Sequence, residues 1–467
     1  MPRPPAKPKH EAAPLSIVIL AAGAGTRMRS GLPKVMQPLA GAPLLAHVLE
    51  LAAALEPAAT YVVYGHGGER VQEHFATANA HWCLQSEQRG TGHAVLQALP
   101  SIPDAHRVLV LYGDVPLLRV ETVRPLLEGA GPRDLALLTA RLSDPTGYGR
   151  LVRGPGGTLR SIVEEREASA LERRIRDINT GVLLAPATLL RDCLPRLRAR
   201  EPHGEFYLTD LVALAVRARR RVVTVEAHEA NEVLGVNDKL QLAAAESEYR
   251  RRRAHALMAQ GVTLIDPARI DLRGPITVGR DVLLDVNVVI DGPVQLADGV
   301  HVGPNCVLSR CSIGEGSVLH ANCVVQDSQI GAACEIGPFS RLRPQARLGR
   351  GVHLGNFVEI KNSEIGAGSK INHLSYVGDS QVGSGVNVGA GTITCNYDGA
   401  NKWVTQIGDK AFIGSGAMLV APLTIGDGAT IGAGSTITGD APAGKLTLAR
   451  SRQVTIENWQ RPVKRPR

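Results

Sequence analysis

Large aromatic side chains are scarce: the chain of 467 residues has 3 Trp, 8 Tyr and 5 Phe against 50 Gly. A core with so few bulky groups has to be built from small, repeated units. Long apolar runs are missing as well, and none approaches the roughly 18 residues that span a bilayer. The stretch from Leu15 to Ala22 is too short, and it runs into Gly-Ala-Gly rather than a signal cleavage site. No two of the seven cysteines have Cys-x-x-Cys spacing, which excludes the common zinc modules and implies reduced thiols in the cytoplasm. There is no Walker A loop and no dinucleotide fingerprint. Basic motifs interleaved with aromatics are absent too, so a nucleic-acid partner is not expected.

What is present begins with charge. Lys and Arg outnumber Asp and Glu by 52 to 44, a formal +8. Part of that excess sits in the two ends, Met1–Pro14 and Arg461–Arg467. The rest suits a solvated Arg-rich surface and attraction to anionic ligands such as nucleotides, sugar phosphates or coenzyme A.

The length calls for two domains. In the first half, short apolar runs at Ser16–Leu20, Tyr61–Tyr64, Arg107–Tyr112 and Leu135–Ala140 alternate with helical stretches at Pro43–Leu55, Thr91–Leu99 and Glu121–Glu128. That alternation predicts an α/β fold, a mainly parallel sheet covered by helices, with ligands at the carboxyl ends of the strands. Asp238–Gln260 lacks internal Gly and Pro and predicts one long connecting helix, with Leu242, Ala245 and Tyr249 on one face.

From about Thr263 the chain becomes periodic. Ile330, Ile336, Leu342, Leu348, Leu354 and Ile360 recur every six residues, and so do Ile407, Ile413, Leu419, Ile425, Ile431 and Ile437. One inward aliphatic residue per six, with a small residue beside it for a tight corner, describes a triangular coil. Coils stacked at the usual strand spacing of about 4.8 Å form a parallel β-helix of hexapeptide repeats. Ala390–Gln406 interrupts the repeat with turn-forming residues and predicts a loop on one face. The expected organisation is a basic disordered tail over 1–14, an α/β domain over 15–237, a helical linker over 238–262, the all-β repeat domain over 263–443 and a basic tail over 444–467.

Two constellations carry chemistry. The strand Ser16–Leu20 leads into Ala21-Ala22-Gly23-Ala24-Gly25-Thr26-Arg27-Met28, followed by Pro33-Lys34. Glycines let backbone N–H groups approach a polyphosphate, a following helix would favour negative charge, and Arg27 and Lys34 can neutralise a departing pyrophosphate. A bare Gly-x-Gly is ordinarily only a tight turn. With the Arg and the Pro-Lys at this spacing, the string resembles the signature of sugar-nucleotide pyrophosphorylases, whose domain is Rossmann-like.

That resemblance implies roles for later residues. Leu20, Ala21, Ala22, Gly23 and Lys34 would hold the nucleotide, with Gln85, Gly90 and Thr91 reading uracil. Tyr112, Gly113 and Asp114 end a strand, and Asp114 with Asn237 would hold Mg²⁺, a hard cation suited to oxygen ligands. Gly149, Glu164 and Asn179 would line the sugar pocket. Ala24 departs from relatives that carry Lys there.

The second constellation comprises Arg341-Leu342-Arg343-Pro344, Gly355-Asn356-Phe357-Val358-Glu359-Ile360-Lys361, Asn372-His373-Leu374-Ser375-Tyr376 and Asn396-Tyr397-Asp398-Gly399. With the first half it closely resembles the bifunctional bacterial family that acetylates glucosamine 1-phosphate and then uridylylates the product, from about Ser16 to Arg461. In that family the β-helix is left-handed and the chain a homotrimer. An ammonium must lose a proton before attacking acetyl-CoA, and an imidazole suits that task. The resemblance makes His373 the base, with Glu359 orienting or stabilising it. Arg343, Lys361, Tyr376 and Asn387 would hold the sugar phosphate. Ala390, Asn396, Tyr397, Ser415, Ala433 and Arg450 would meet acetyl-CoA, and Ser415 could donate to the tetrahedral oxyanion.

Three other readings stand beside this one. A pyrophosphorylase with one live site would not need His373, Arg343 and Lys361. A non-catalytic scaffold of the same two folds would not need Arg27, Lys34 and Asp114. A β-helical carbonic anhydrase needs three metal-binding His per site, and His301, His320, His353 and His373 do not form a convincing set.

Overall fold

The computed structural model describes residues 13–23, 25–65, 67–200 and 204–464. Most of the expected N-terminal tail, Ala24 and the last three residues of the basic C-terminal segment lie outside them. The chain divides into two compact units, with the division between Tyr249 and Arg250.

In the first unit, β1 (Leu15–Ala21), β2 (Ala59–Gly65), β3 (His81–Gln85), β4 (Arg107–Tyr112), β5 (Leu135–Arg141), β6 (Arg150–Arg153), β7 (Leu159–Val163), β8 (Asp177–Pro186) and β9 (Val222–Glu226) form one sheet. Its main path among the described residues runs β9-β5-β8-β4-β1-β2-β3, with the β6–β7 hairpin attached through β8. The central strands are apolar and buried throughout, as Ile17, Val18, Ile19 and Leu109 show. A strand buried on both faces needs cover on both sides. Helices such as α1 (Leu44–Ala54) and α2 (Thr91–Ala98) supply it.

Along its main path the sheet is mainly parallel, as expected, with one reversed strand. β8 runs antiparallel to both β4 and β5. This strand departs from the parallel pattern because the link from β5 to β8 carries the β6–β7 hairpin instead of a crossover helix, and a chain can return beside its neighbour without one. A second departure follows Gly25. No α-helix starts there, only a 3-10 turn at Thr26–Met28. Arg29 then turns left-handed, and Pro33 precedes a second short turn at Lys34–Met36.

The long connecting helix spans Lys239–Ala259. In the first unit its Leu242, Ala245 and Tyr249 pack with Met28, Leu39 and Leu44. In the second unit Ala254 and Leu257 join the β-helix core.

The second unit is a solenoid of parallel strands. The described residues give ladders of 11 and 17 strands, each strand two to eight residues long. Ile336, Leu354, Ile371, Val388, Ile413 and Ile431 stack inward on successive coils, all buried. Glycine is required where coils turn: a Cβ on Gly355 would sit 2.0 Å from the Asn372 carbonyl oxygen.

The interruption is narrower than the sequence suggests. Ile393–Cys395 is still a coil strand, and the buried Thr392 and Thr394 take inward positions where aliphatics would sit. Their hydroxyls are satisfied by the Gly389 and Gly378 carbonyls at 2.8 and 3.2 Å, so the coil persists where the hydrophobic pattern lapses. Only the segment from Asn396 to Val404 leaves the solenoid, and the ladder there steps from Ser380 to Thr405, then from Thr405 to Leu423. Asp398 ties this outgrowth together, accepting from the Asn401 N–H at 2.6 Å, Trp403 Nε1 at 2.7 Å and the Ala400 N–H at 2.8 Å. Those bonds pull its carboxyl down to about 2.

Among the described residues no helix is long and apolar enough to cross a membrane. All seven cysteines are free thiols, and five of them are buried.

Candidate active sites

The carboxyl ends of β1, β2, β3 and β4 lie side by side, because Leu20 pairs with Val63 and Tyr112, and Gly65 pairs with Gln85. Loops leaving neighbouring strand ends must meet. They enclose a cleft of about 460 Å³ lined by Leu20, Ala21, Ala22, Gly23, Arg27, Lys34, Gln85, Gly90, Thr91, Tyr112, Asp114 and Asn237, among others. Gly113 sits just behind, its N–H bonded to the Leu20 carbonyl at 2.9 Å.

Lys34 is the hinge of this cleft. Its ammonium pairs with the Asp114 carboxylate and lies 3.1 Å from Asn237 Oδ1. Gly25 permits the approach: its φ is 62°, and a Cβ there would fall 2.6 Å from Lys34 Cβ. Asn237 is brought in by the bond from the Val236 N–H to the Asp114 carbonyl at 2.8 Å. Arg27 is exposed, and among the described residues its guanidinium has no ion-pair partner.

Gly149, Glu164 and Asn179 gather separately, the Asn179 N–H donating to the Gly149 carbonyl at 2.9 Å. Asn179 lines a small cavity with Tyr112, Gly181 and Thr209. Glu164 accepts from the Thr209 hydroxyl at 2.7 Å, and a Cβ on Gly149 would come within 3.5 Å of its carboxylate. Burial pushes the Glu164 carboxyl above its ordinary range, and also pushes the Tyr112 phenol up. Asn179 Oδ1 is buried without a hydrogen-bond partner, an acceptor that a ligand hydroxyl or amide would satisfy.

Sequence reasoning missed several residues of this unit. Gln88 lines the cleft and donates to the Ala22 carbonyl at 2.6 Å, and Glu205 and Tyr207 close another side. The buried Glu232 takes the Arg119 guanidinium and the Thr122 hydroxyl, anchoring the segment that leads to Asn237. Only Gln88, which falls between Gln85 and Gly90 in the chain, carried any signal in the sequence.

In the second unit, His373, Ala390 and Ser415 stack one coil apart. The His373 carbonyl accepts from the Gly391 N–H at 3.2 Å, Ala390 from Gly416 at 2.7 Å, and Ser415 from Gly434 at 2.8 Å. Arg450 Nη1 reaches the Ala433 carbonyl at 2.9 Å, which continues the line. His373 is exposed.

Arg343, Glu359, Lys361 and Tyr376 occupy the neighbouring ladder, where Glu359 lies beside Arg341 and Tyr376. Glu359 accepts from Arg343 Nη1 at 2.9 Å, while Lys361 lies 3.7 Å from Asp379. No hydrogen bond joins Glu359 to His373 among the described residues. Asn387 sits beside Lys370 and Phe412. Asn396 is buried and donates to Asp379, and Tyr397 is exposed on the outgrowth. Asp379 was missed by the sequence reading, although it also takes the Asn362 amide at 2.5 Å.

Comparison with known proteins bears on both units. Residues 17–229 match the MobA-like NTP transferase domain, 275–310 the hexapeptide repeat of succinyl-transferase, and 405–439 the bacterial transferase hexapeptide. The chain is 54% identical to the bifunctional protein GlmU of Stutzerimonas stutzeri, over 97% of this chain and 100% of that one. The chain belongs to the GlmU family. Other GlmU relatives, from Aromatoleum aromaticum and Azoarcus sp., are also 54% identical, over 97% and 96% of this chain and 99% and 100% of theirs. As a GlmU-family member the chain is a bifunctional transferase, with a nucleotidyltransferase unit ahead of a hexapeptide-repeat acetyltransferase unit. The readings with one live site, with no catalysis, or as a carbonic anhydrase give way to it.

Proposed function

We propose that the second unit moves the acetyl group of acetyl-CoA to the amine of glucosamine 1-phosphate. The first unit then moves UMP from UTP to the resulting N-acetylglucosamine 1-phosphate, giving UDP-N-acetylglucosamine and pyrophosphate. The observation that carries the second step is the convergence of Lys34, Asp114 and Asn237 beside a glycine loop, at the open end of a parallel sheet.

Asp114 and Asn237 offer two hard oxygen donors at one point, and a cationic ammonium already rests between them. Among the described residues no cluster of three His, Cys, Asp or Glu side chains could cage a metal. That suits Mg²⁺, which keeps most of its positions for water and phosphate. Bound there, Mg²⁺ would neutralise phosphate charge. The sugar-phosphate oxygen attacks the α-phosphorus and pyrophosphate departs. Lys34 and Arg27 offset the charge that gathers on the phosphates, and Ala21–Gly23 let backbone approach them. The free Asn179 Oδ1 supports a sugar hydroxyl or acetamido group in the inner cavity.

For acetyl transfer, His373 takes the proton of the attacking amine, the C–N bond forms at the thioester carbon, and the coenzyme A thiol leaves. Arg343 and Lys361 hold the sugar phosphate. Ala390, Ser415, Ala433 and Arg450 line the thioester along one row of coil corners. Glu359, paired with Arg343, serves that phosphate-binding cation rather than the imidazole.

The working form is a cytoplasmic homotrimer. Supporting it, Phe339 and Phe357 stack at 5.2 Å on successive coils, both half exposed, and both have positive φ, a conformation costly for bulky residues. Leu374, 63% exposed, continues the apolar row. Incubating the protein with glucosamine 1-phosphate, acetyl-CoA, UTP and Mg²⁺ should give UDP-N-acetylglucosamine by mass spectrometry. No product from N-acetylglucosamine 1-phosphate and UTP would overturn the assignment of the first unit.

A further inference from the structure

We infer that His93 is a positioning residue that sets which face of the Gln85 carboxamide meets the nucleotide base, and so sets the preference for uracil over cytosine. The inference rests on the uridylyl reading above and extends it to a residue outside the base contacts.

Gln85 ends β3, is 2% exposed and lines the cleft. One of its two amide heavy atoms has both protein contacts: it lies 3.1 Å from the Gly90 carbonyl oxygen and 3.0 Å from His93 Nδ1. A carbonyl oxygen can only accept, so that atom must be the NH₂ nitrogen. Both of its hydrogens are then spent, one on Gly90 and one on His93. The group left for the cleft is Oε1, a pure acceptor.

This holds only if His93 Nδ1 is a lone pair. A neutral imidazole has one acceptor nitrogen, so the proton must sit on Nε2. Gln97 competes for the other tautomer: its Nε2 lies 3.2 Å from His93 Nε2 while donating to the His93 carbonyl at 3.1 Å. The two demands conflict, and burial decides between them. Gln97 is only partly buried and can turn its amide to offer oxygen to the ring N–H. Gln85 is enclosed, and a reversed amide there would press its oxygen against the Gly90 carbonyl. An unmet buried group costs more than a reoriented exposed one. His93 itself lies on the first turn of α2.

An acceptor facing the base selects an edge that carries N–H. Uracil offers N3–H where cytosine has a lone pair, so the arrangement favours UTP and opposes CTP. With the Nδ1 acceptor removed, one of the two groups that fix the amide is lost and only the Gly90 carbonyl still opposes its reversal, so the bias toward presenting Oε1, and with it the preference for uracil, weakens.

The test measures kcat/KM for UTP and for CTP with N-acetylglucosamine 1-phosphate, using the full chain and two variants. His93→Phe keeps a ring but removes the acceptor; His93→Asn puts an amide oxygen close to the position of Nδ1. The UTP-to-CTP ratio should fall by about tenfold or more in His93→Phe, in line with the loss of one buried hydrogen-bond determinant, and His93→Asn should recover most of it. If the unaltered chain uses neither nucleotide, or both equally, the uridylyl reading itself fails. If the unaltered chain prefers UTP and His93→Phe keeps that ratio while the overall rate drops, the role is only structural and the inference is overturned. The same follows if His93→Asn, with an unchanged melting temperature, restores nothing.

Discussion

Lys34 and Asp114, 80 residues apart in the chain, meet as an ion pair with only 14% of each side chain exposed. The pair sits where β1 and β4 end side by side, so the fold of the sheet brings together a cation and a carboxylate that phosphate transfer needs at one point. Removing the negative charge should free the ammonium from its pair and weaken the hold on a cation, although an amide oxygen remains. Asp114→Asn is expected to lower uridylyl transfer at least about 100-fold, the scale of losing a principal electrostatic group. Acetyl transfer by the same protein should be unchanged, and paired assays of the two activities check this.

His373→Ala should do the reverse. Loss of a positioned general base costs about 10²–10⁴ in rate. Acetylation of glucosamine 1-phosphate, followed by release of the coenzyme A thiol, should fall by that order. Formation of UDP-N-acetylglucosamine from N-acetylglucosamine 1-phosphate should persist.

Gly25→Ala tests the glycine loop by sterics alone. The residue has φ of 62°, and the added methyl would fall 2.6 Å from Lys34 Cβ. The left-handed backbone alone costs about 1–2 kcal/mol for an L-residue. Lys34 should be displaced, and uridylyl transfer should drop more steeply than the melting temperature does.

Glu232 is wholly buried and bonded to Arg119 and Thr122. Arg119→Ala leaves that carboxylate without its cation, which should destabilise the first unit by about 3 kcal/mol. Denaturant unfolding measures this. Because the segment continues into Asn237, the requirement for Mg²⁺ should also rise.

Asp379 gives a pH dependence. Burial opposes its ionisation, but the bonds from Asn362 and Asn396 and the charges of Lys361 and Lys402 outweigh that and hold the carboxyl below its ordinary value. A depressed folded value stabilises the protein above the unfolded value of about 3.9, and that contribution is lost as pH falls through the folded value. The β-helix should therefore weaken below about pH 4, and Asp379→Asn should flatten that part of the melting profile.

Much of this was legible in the chain. The six-residue repeat names its own inward residues, and Ile336, Leu342, Leu354, Ile360, Ile413 and Ile431 are all fully buried. Arg107–Tyr112 was readable as a strand to the residue. The interruption at 390–406 misled because Thr392 and Thr394 satisfy their hydroxyls inside the coil, and a hydrophobic pattern cannot register a buried polar residue. Asp379 and Glu232 were invisible for a related reason: a lone carboxylate in a sequence carries no mark of the partners that bury it.

Local pattern by itself determined that a strand-and-helix unit precedes a parallel coil, since residues three, four or six apart decide which way a side chain points. It also placed the glycine loop at a strand end. Only the tertiary structure decided that β8 runs antiparallel, that Asn237 joins Lys34 and Asp114, and that Gln85 turns its oxygen to the cleft. Those outcomes depend on pairings between segments distant in the chain, such as Val236 with Asp114 and Gln85 with Gly90 and His93. Closing such loops costs entropy that no short stretch of sequence records, and only packing the whole sheet repays it.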